Sequence, residues 1–263
     1  MSQLLIVLAV VIAAAAAVRS TWSPCGLSML STITPLTERG RGRRFAATAT
    51  WFVVGAVAGG VSLGLGAAVL AGAVNAAGVS AAAALALAGI AAFITAASDL
   101  KVVGRQLPGH PRQVNEQWLD RYRAWVYGAG FGWQIGVGLA TYIMTAAVYL
   151  VIVLAVLTAD PLVAVAIGGF FGLVRGLAIF LTAGVSTPAQ LRSFHRRFAV
   201  WGEPVRKAVI AIQLVVAVVA STVAWGWPGA VASLVVVAAM VAITVARRSP
   251  TEVPVEPVPT LST

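Results

Sequence analysis

The segment "RSTWSPCGLSML", residues 19–30, brings together Arg19, Pro24 and the single cysteine of the chain, Cys25, directly after an apolar run. A thiolate becomes a nucleophile when a neighbouring cation lowers its proton affinity, so Arg19 near Cys25 favours a reactive thiol. The plainer alternative is a small buried hydrophobe. Arg175, in "GFFGLVRGLAIF", is a second cation with apolar residues on both sides. Its planar guanidinium is suited to bidentate recognition of a carboxylate or phosphate. No acidic residue accompanies either arginine within an apolar segment. Both therefore call for an anionic partner: a bound anion, a substrate carboxylate, or backbone carbonyls at a helix end. The histidines, His110 and His195, lie in basic segments without a second ligand at metal spacing and read as solvated loop residues. No phosphate-binding or dinucleotide fingerprint is present. The sequence thus predicts no metal, no resident cofactor and no soluble catalytic constellation.

The elements that must position these residues are membrane helices. Of the 263 residues 60% are hydrophobic and only 10% charged, with a mean hydropathy of +0.93. Soluble domains carry roughly 25% charged residues, so the surface of this chain calls for a lipid bilayer. A bilayer core takes about 20 apolar residues per helix. Runs that qualify are 4–36 (interrupted), 46–73, 79–98, 124–157, 161–184, 208–226 and 228–246, which predicts an all-α protein with seven transmembrane helices in a domain of residues 1–247. The opening "MSQLLIVLAV" lacks a basic n-region and is read as part of the first span rather than as a signal peptide.

All 18 lysines and arginines except Arg19 and Arg175 fall in every second connection or at the start of the tail, whereas "GAVNAAGV", "TADP" and "WGWPG" contain none. The positive-inside rule then predicts a multi-pass plasma-membrane protein with its N-terminus outside and its C-terminus cytoplasmic. The net charge of +10 is accounted for by topology and anionic lipid rather than by nucleic acid. Trp118, Tyr122 and Trp125 recur at helical spacing in residues 112–125, as in an interfacial helix. The proline-rich tail, 248–263, is expected to be disordered.

Residues 4–36 as one helix would measure about 50 Å, so a break is expected. Pro24, which lacks a donor and clashes with the preceding turn, with Gly26 as a flexible neighbour, places it near Cys25; Pro35 should end the span. These three residues would form a gate. Glycines four apart, Gly128, Gly132 and Gly136, and again Gly168, Gly172 and Gly176, line single helix faces and suit close helix packing. A short echo between "TWSPCGLSMLST" and "WQIGVGLATYIM" aligns Gly26-Leu27 with Gly138-Leu139. It suggests two inverted three-helix repeats with a seventh helix appended, an arrangement that puts the working site near the midplane.

The residues "SPCGLSMLSTITP" resemble the start of the CcdA/DsbD family of transmembrane thiol–disulfide proteins, in which a proline–cysteine pair in the first span is followed by a second proline and a basic loop. The resemblance implies inverted three-helix repeats, a thioredoxin-like protein partner, and Cys25 as the first redox cysteine. Members pair that cysteine with another in the fourth span, where the echo places Val137. A lone thiol cannot cycle between dithiol and disulfide within one chain. The wider superfamily also includes exporters of small solutes. The first expectation is therefore an exporter of a small anionic solute, with Arg19 and Arg175 binding it. A single-cysteine redox partner using Cys25 is the alternative, and a non-transporting membrane scaffold is the third.

Overall fold

The computed structural model describes residues 3–102 and 122–247. Over these residues the chain forms nine α-helices and no strand: α1 (Gln3–Ser20), α2 (Pro24–Thr32), α3 (Pro35–Gly40), α4 (Phe45–Ala76), α5 (Ala81–Asp99), α6 (Ala124–Val137), α7 (Ala147–Leu157), α8 (Pro161–Leu177, continued by a 3₁₀ turn, Ala178–Thr182) and α9 (Pro188–Ala246). Four helices begin in the same way. Pro24, Pro35, Pro161 and Pro188 open α2, α3, α8 and α9, and Ser23, Thr34, Asp160 and Thr187 before them accept hydrogen bonds from backbone N–H groups of the first turn. Proline fits there because its fixed φ is helical and its missing N–H would have had no partner in the helix.

Among the described residues five helices are long and apolar enough to cross a membrane, α1, α4, α5, α8 with its 3₁₀ extension, and α9. Seven were expected: the fourth is divided in two, and the sixth and seventh are the two limbs of one kinked element, α9. The expected fourth span, 124–157, is split into α6 and α7, because Gly138 adopts φ 73° and ends α6; the two pieces have 14 and 11 residues. The expected sixth and seventh spans both lie within α9, which is interrupted at Gly226, where φ is 66° and ψ is −150°. Beyond the kink the chain returns, so that Arg247 donates to the Lys101 carbonyl (3.2 Å) while Arg206 donates to the Asp99 carbonyl (3.2 Å). His110, Trp118 and the tail lie outside the described residues; Trp125, from the expected interfacial helix, sits in the first turn of α6, its ring 6.2 Å from that of Trp51.

Backbones carry the packing of α4. A Cβ on Gly132 would collide with the Phe52 carbonyl, one on Gly136 with that of Ala56, and one on Gly168 with that of Gly60; Gly172 would strike the Ala56 carbonyl, while Gly176 would press on the Ala56 methyl group (2.9 Å) and Gly128 on the Thr48 carbonyl (3.1 Å). Both glycine rows therefore seat on α4, α6 on one side and α8 on the other. Two apolar cores result. One gathers α1, α5, α7 and parts of α4, α8 and α9, from Leu5 and Ile12 to Leu150 and Phe171. The other gathers Met29, Leu30, Phe52, Tyr127, Phe131, Ile179 and Phe198.

Candidate functional site

The first helix breaks at residues 21–23. Ser20 Oγ donates to the Ala16 carbonyl (2.7 Å) and Thr21 Oγ1 to that of Ala17 (3.4 Å), so side chains satisfy the end of α1. Ser23, fully buried, accepts the Gly26 N–H (3.1 Å) and caps α2. Pro24 is thus the first residue of a new helix, not a kink inside an old one, and Pro35 likewise opens α3 rather than ending a span. Gly26 supplies space, not flexibility: it is helical, and a Cβ there would collide with the Thr21 carbonyl. Trp22 anchors the break. Its Nε1 donates to the Phe198 carbonyl (2.8 Å), and its ring stacks on that of Phe198 with centroids 4.2 Å apart.

Arg175 lies where this break approaches the one after α6. It is 3% exposed, its guanidinium sits 5.6 Å from the centre of the Phe171 ring, and a Cβ on Gly138 would stand 3.5 Å from its Nη1. Cys25, 1% exposed, is close enough to interact with it electrostatically. Among the described residues no carboxylate forms an ion pair with Arg175. A cation over an aromatic face gains on the order of 2 kcal/mol when desolvated, well below the several kcal/mol that burying an ion costs. The position suits a guanidinium that an anion completes.

Arg19 occupies a different setting. It is 7% exposed, its Nε has no hydrogen-bond partner among the described residues, and it lines a cavity of about 580 Å³ together with Asp99, Lys101, Thr145, Glu203, Arg206 and Arg247, among others. The sequence alone places no acidic residue near either arginine, and Asp99 corrects this for Arg19, whose charge interacts with Asp99 and Glu203. Asp99 ends α5 and ties three elements together: Oδ2 accepts from Thr145 Oγ1 (2.5 Å) and Gln213 Nε2 (2.8 Å), and Oδ1 accepts from the Ala146 N–H (2.8 Å) at the start of α7.

A further buried carboxylate is not evident from the sequence. Glu38 stands among the four arginines of "TERGRGRRF", yet it is fully buried. It accepts from Tyr127 Oη and Thr48 Oγ1, both at 2.5 Å, and lies 3.4 Å from Arg41 Nη1. The Arg43 guanidinium covers the Tyr127 ring at 5.3 Å. A capping box between Thr34 and Thr37 folds α3 back and turns Glu38 inward; that local signal was readable, its distant consequence was not. His195 meets Ser31 Oγ across 3.1 Å. No three His, Cys, Asp or Glu side chains gather as a metal site among the described residues.

No family model and no solved structure matches the chain. Curated relatives do. The methylamine utilization protein MauF of Paracoccus denitrificans is 34% identical over 177 residues, covering 65% of this chain and 62% of the relative. The protein of the same name from Paracoccus versutus is 32% identical over 185 residues, 68% of this chain and 65% of that one, and that of Methylobacillus flagellatus 31% identical over 180 residues, 65% and 60%. The chain spans 60–65% of the length of these relatives. These relatives do not show the CcdA/DsbD family, whose specific likeness lies in the segment around Pro24 and Cys25; the chain is helical, has membrane-like spans and is similar to MauF proteins.

Proposed function

We propose that the chain is a multi-pass membrane protein that moves a small anionic solute through the bundle, in methylamine utilization, for which its MauF relatives are named. The observation that carries this reading is Arg175, 3% exposed, without an ion-pair partner among the described residues, beside two interruptions of the helical backbone. Interrupted helices at membrane depth are tolerated where they line a cavity or a solute site. The break at Ser23-Pro24 is the gate, and Arg175 and Arg19 attract the anion. Two inverted repeats would pair α1 with α7, α4 with α8 and α5 with α9, three apart in the expected order of spans, and each pair is in contact, as are α4 with α6 and α1 with α8. The basic connections face the cytoplasm of the plasma membrane on the positive-inside rule.

The alternative use of this centre is a thiol that meets a thioredoxin-like partner, and the closeness of Cys25 to Arg175 favours it. Against it stands the 1% exposure of Cys25, because a mixed disulfide requires another protein's sulfur to reach this one.

The test is electrogenic flux in proteoliposomes containing the full chain, challenged with acetate, succinate and inorganic phosphate. Wild-type protein should pass current for at least one anion, Arg175→Lys should lower it tenfold or more, Arg175→Leu should abolish it, and Cys25→Ser should leave it intact. Folded protein passing none of these anions, or Arg175→Leu passing them as well as wild type, overturns the transport reading. Loss of activity in Cys25→Ser, with a partner adduct on non-reducing gels that disappears in the variant, selects the thiol reading instead.

A further inference from the structure

The cavity at the end of α5 is a chemically one-sided space. Four cations line it, Arg19, Lys101, Arg206 and Arg247, against two carboxylates, Asp99 and Glu203. Both carboxylates are already engaged. Glu203 takes Arg206 in a two-pronged pair, 2.8 Å from Nε to Oε2 and 2.7 Å from Nη2 to Oε1, and Lys207 also approaches its Oε1 at 4.0 Å. Asp99 receives Thr145, Gln213 and the Ala146 N–H. What remains unspent is positive. Arg19, more than nine-tenths buried, has an Nε without an acceptor, and Lys101 forms no ion pair among the described residues.

Lys101 is placed there at a conformational cost. Its φ of 58° is left-handed, and it occupies the position after α5 where a Schellman turn usually holds glycine: the Lys101 N–H bonds the Ser98 carbonyl (3.0 Å) and the Val102 N–H that of Ala97 (3.0 Å). Arg247 then clamps the Lys101 carbonyl from the end of α9. A glycine would complete the turn with less strain but would put no charge at the cavity wall.

We propose that this cavity is an oxyanion site, taking a carboxylate or phosphate group held between Arg19 and Lys101, and that it refuses alkylammonium ions such as methylammonium. A methylammonium ion entering here would face four cations against two carboxylates, with Glu203 held by Arg206 and both Asp99 oxygens occupied by Thr145, Gln213 and the Ala146 N–H; the neighbouring orphan acceptor, Gln213 Oε1, is a neutral amide oxygen and offers no counter-charge. The site shares Arg19 with the proposed solute path, but Arg175 does not line it. Its ligand chemistry has two sources, a free solute anion or the phosphate of an anionic lipid, since cation clusters at the end of a membrane bundle attract both.

The test uses the full chain, purified and delipidated in a nonionic detergent, with the thermal unfolding midpoint followed at constant ionic strength. Succinate or inorganic phosphate should raise the midpoint by several degrees, as a ligand that binds only the folded state must, and methylammonium chloride should not. In the lipid arm phosphatidylglycerol is added back against phosphatidylcholine; a shift from phosphatidylglycerol alone assigns the site to headgroups, and a shift from the soluble anions assigns it to free solute. Lys101→Asn, which keeps a residue tolerant of left-handed backbone, should weaken the anion effect tenfold or more, as should Arg19→Gln. The proposal falls if no anion of either kind shifts the midpoint, if methylammonium shifts it equally, or if the anion effect survives in Lys101→Asn. Loss of flux in Arg175→Leu with these shifts unchanged separates this site from the transport centre.

Discussion

Glu38 and Arg175 are both nearly inaccessible charges, and the protein treats them in opposite ways. Around Glu38 the polar partners are complementary: a phenol from α6, a hydroxyl from α4 and the guanidinium of Arg41, just after α3, converge on it. Around Arg175 the neighbours are a phenyl face, a glycine and a thiol, and no carboxylate comes within ion-pair distance among the described residues. A buried charge whose hydrogen bonds are complete ties helices together, whereas one left incomplete is available to something that is not part of the chain. Burial alone does not distinguish a brace from a binding group. The census of partners does.

The comparison can be broken by measuring unfolding free energies of variants in detergent. The largest effect is expected at Glu38. Glu38→Leu strands the buried hydroxyls of Tyr127 and Thr48 and takes the carboxylate away from Arg41, which keeps its bond to the Thr32 carbonyl; the loss should cost about 3 kcal/mol or more, as unsatisfied buried groups do, and Glu38→Gln, which keeps an acceptor, should recover part of this. Tyr127→Phe removes one hydrogen bond to a charged acceptor and should cost about 1.5–3 kcal/mol. Gly138→Ala places a side chain at φ 73° and 2.9 Å from a ring carbon of Phe171; it should cost about 1–2 kcal/mol for the left-handed backbone alone. The smallest change is expected for Arg175→Leu, within about 1 kcal/mol of wild type, because leucine relieves the desolvation of an incompletely partnered ion. If Arg175→Leu unfolds as readily as Glu38→Leu, Arg175 is a brace after all and the contrast dissolves.

Arg175 was legible in the sequence because a single charge inside an apolar run has no local alternative to burial. The glycine rows were legible for a similar reason, since a four-residue period fixes one helix face whatever the partner. Glu38 was hidden by its company: four arginines around it read as a solvated connection, and its burial depends on Tyr127, 89 positions along the chain. Asp99 was concealed in the same way, as the last residue of an apolar helix whose partners, Thr145 and Gln213, come from the segment leading into α7 and from α9. The span count failed at Gly138, where one left-handed residue divides an apolar run expected to be one helix; at Gly226 the backbone breaks where the expected sixth and seventh spans meet, within the single element α9. Glycine allows that conformation without requiring it, so composition does not distinguish the two cases.

The seating of α6 and α8 on α4 has a mechanical consequence. Where helices meet through side chains, rotamers can change and let one helix slide or roll past the other. At Gly132, Gly136, Gly168 and Gly172 carbonyl and α-carbon meet directly, with no rotamer to spare, and a shift of even a fraction of a residue drives a carbonyl into a neighbouring backbone. These three helices therefore travel as one block. Any conformational cycle of the protein has to be carried by α1, α5, α7 and α9 moving against that block, with the Trp22–Phe198 stack and the Asp99 linkages as the joints that must open or hold.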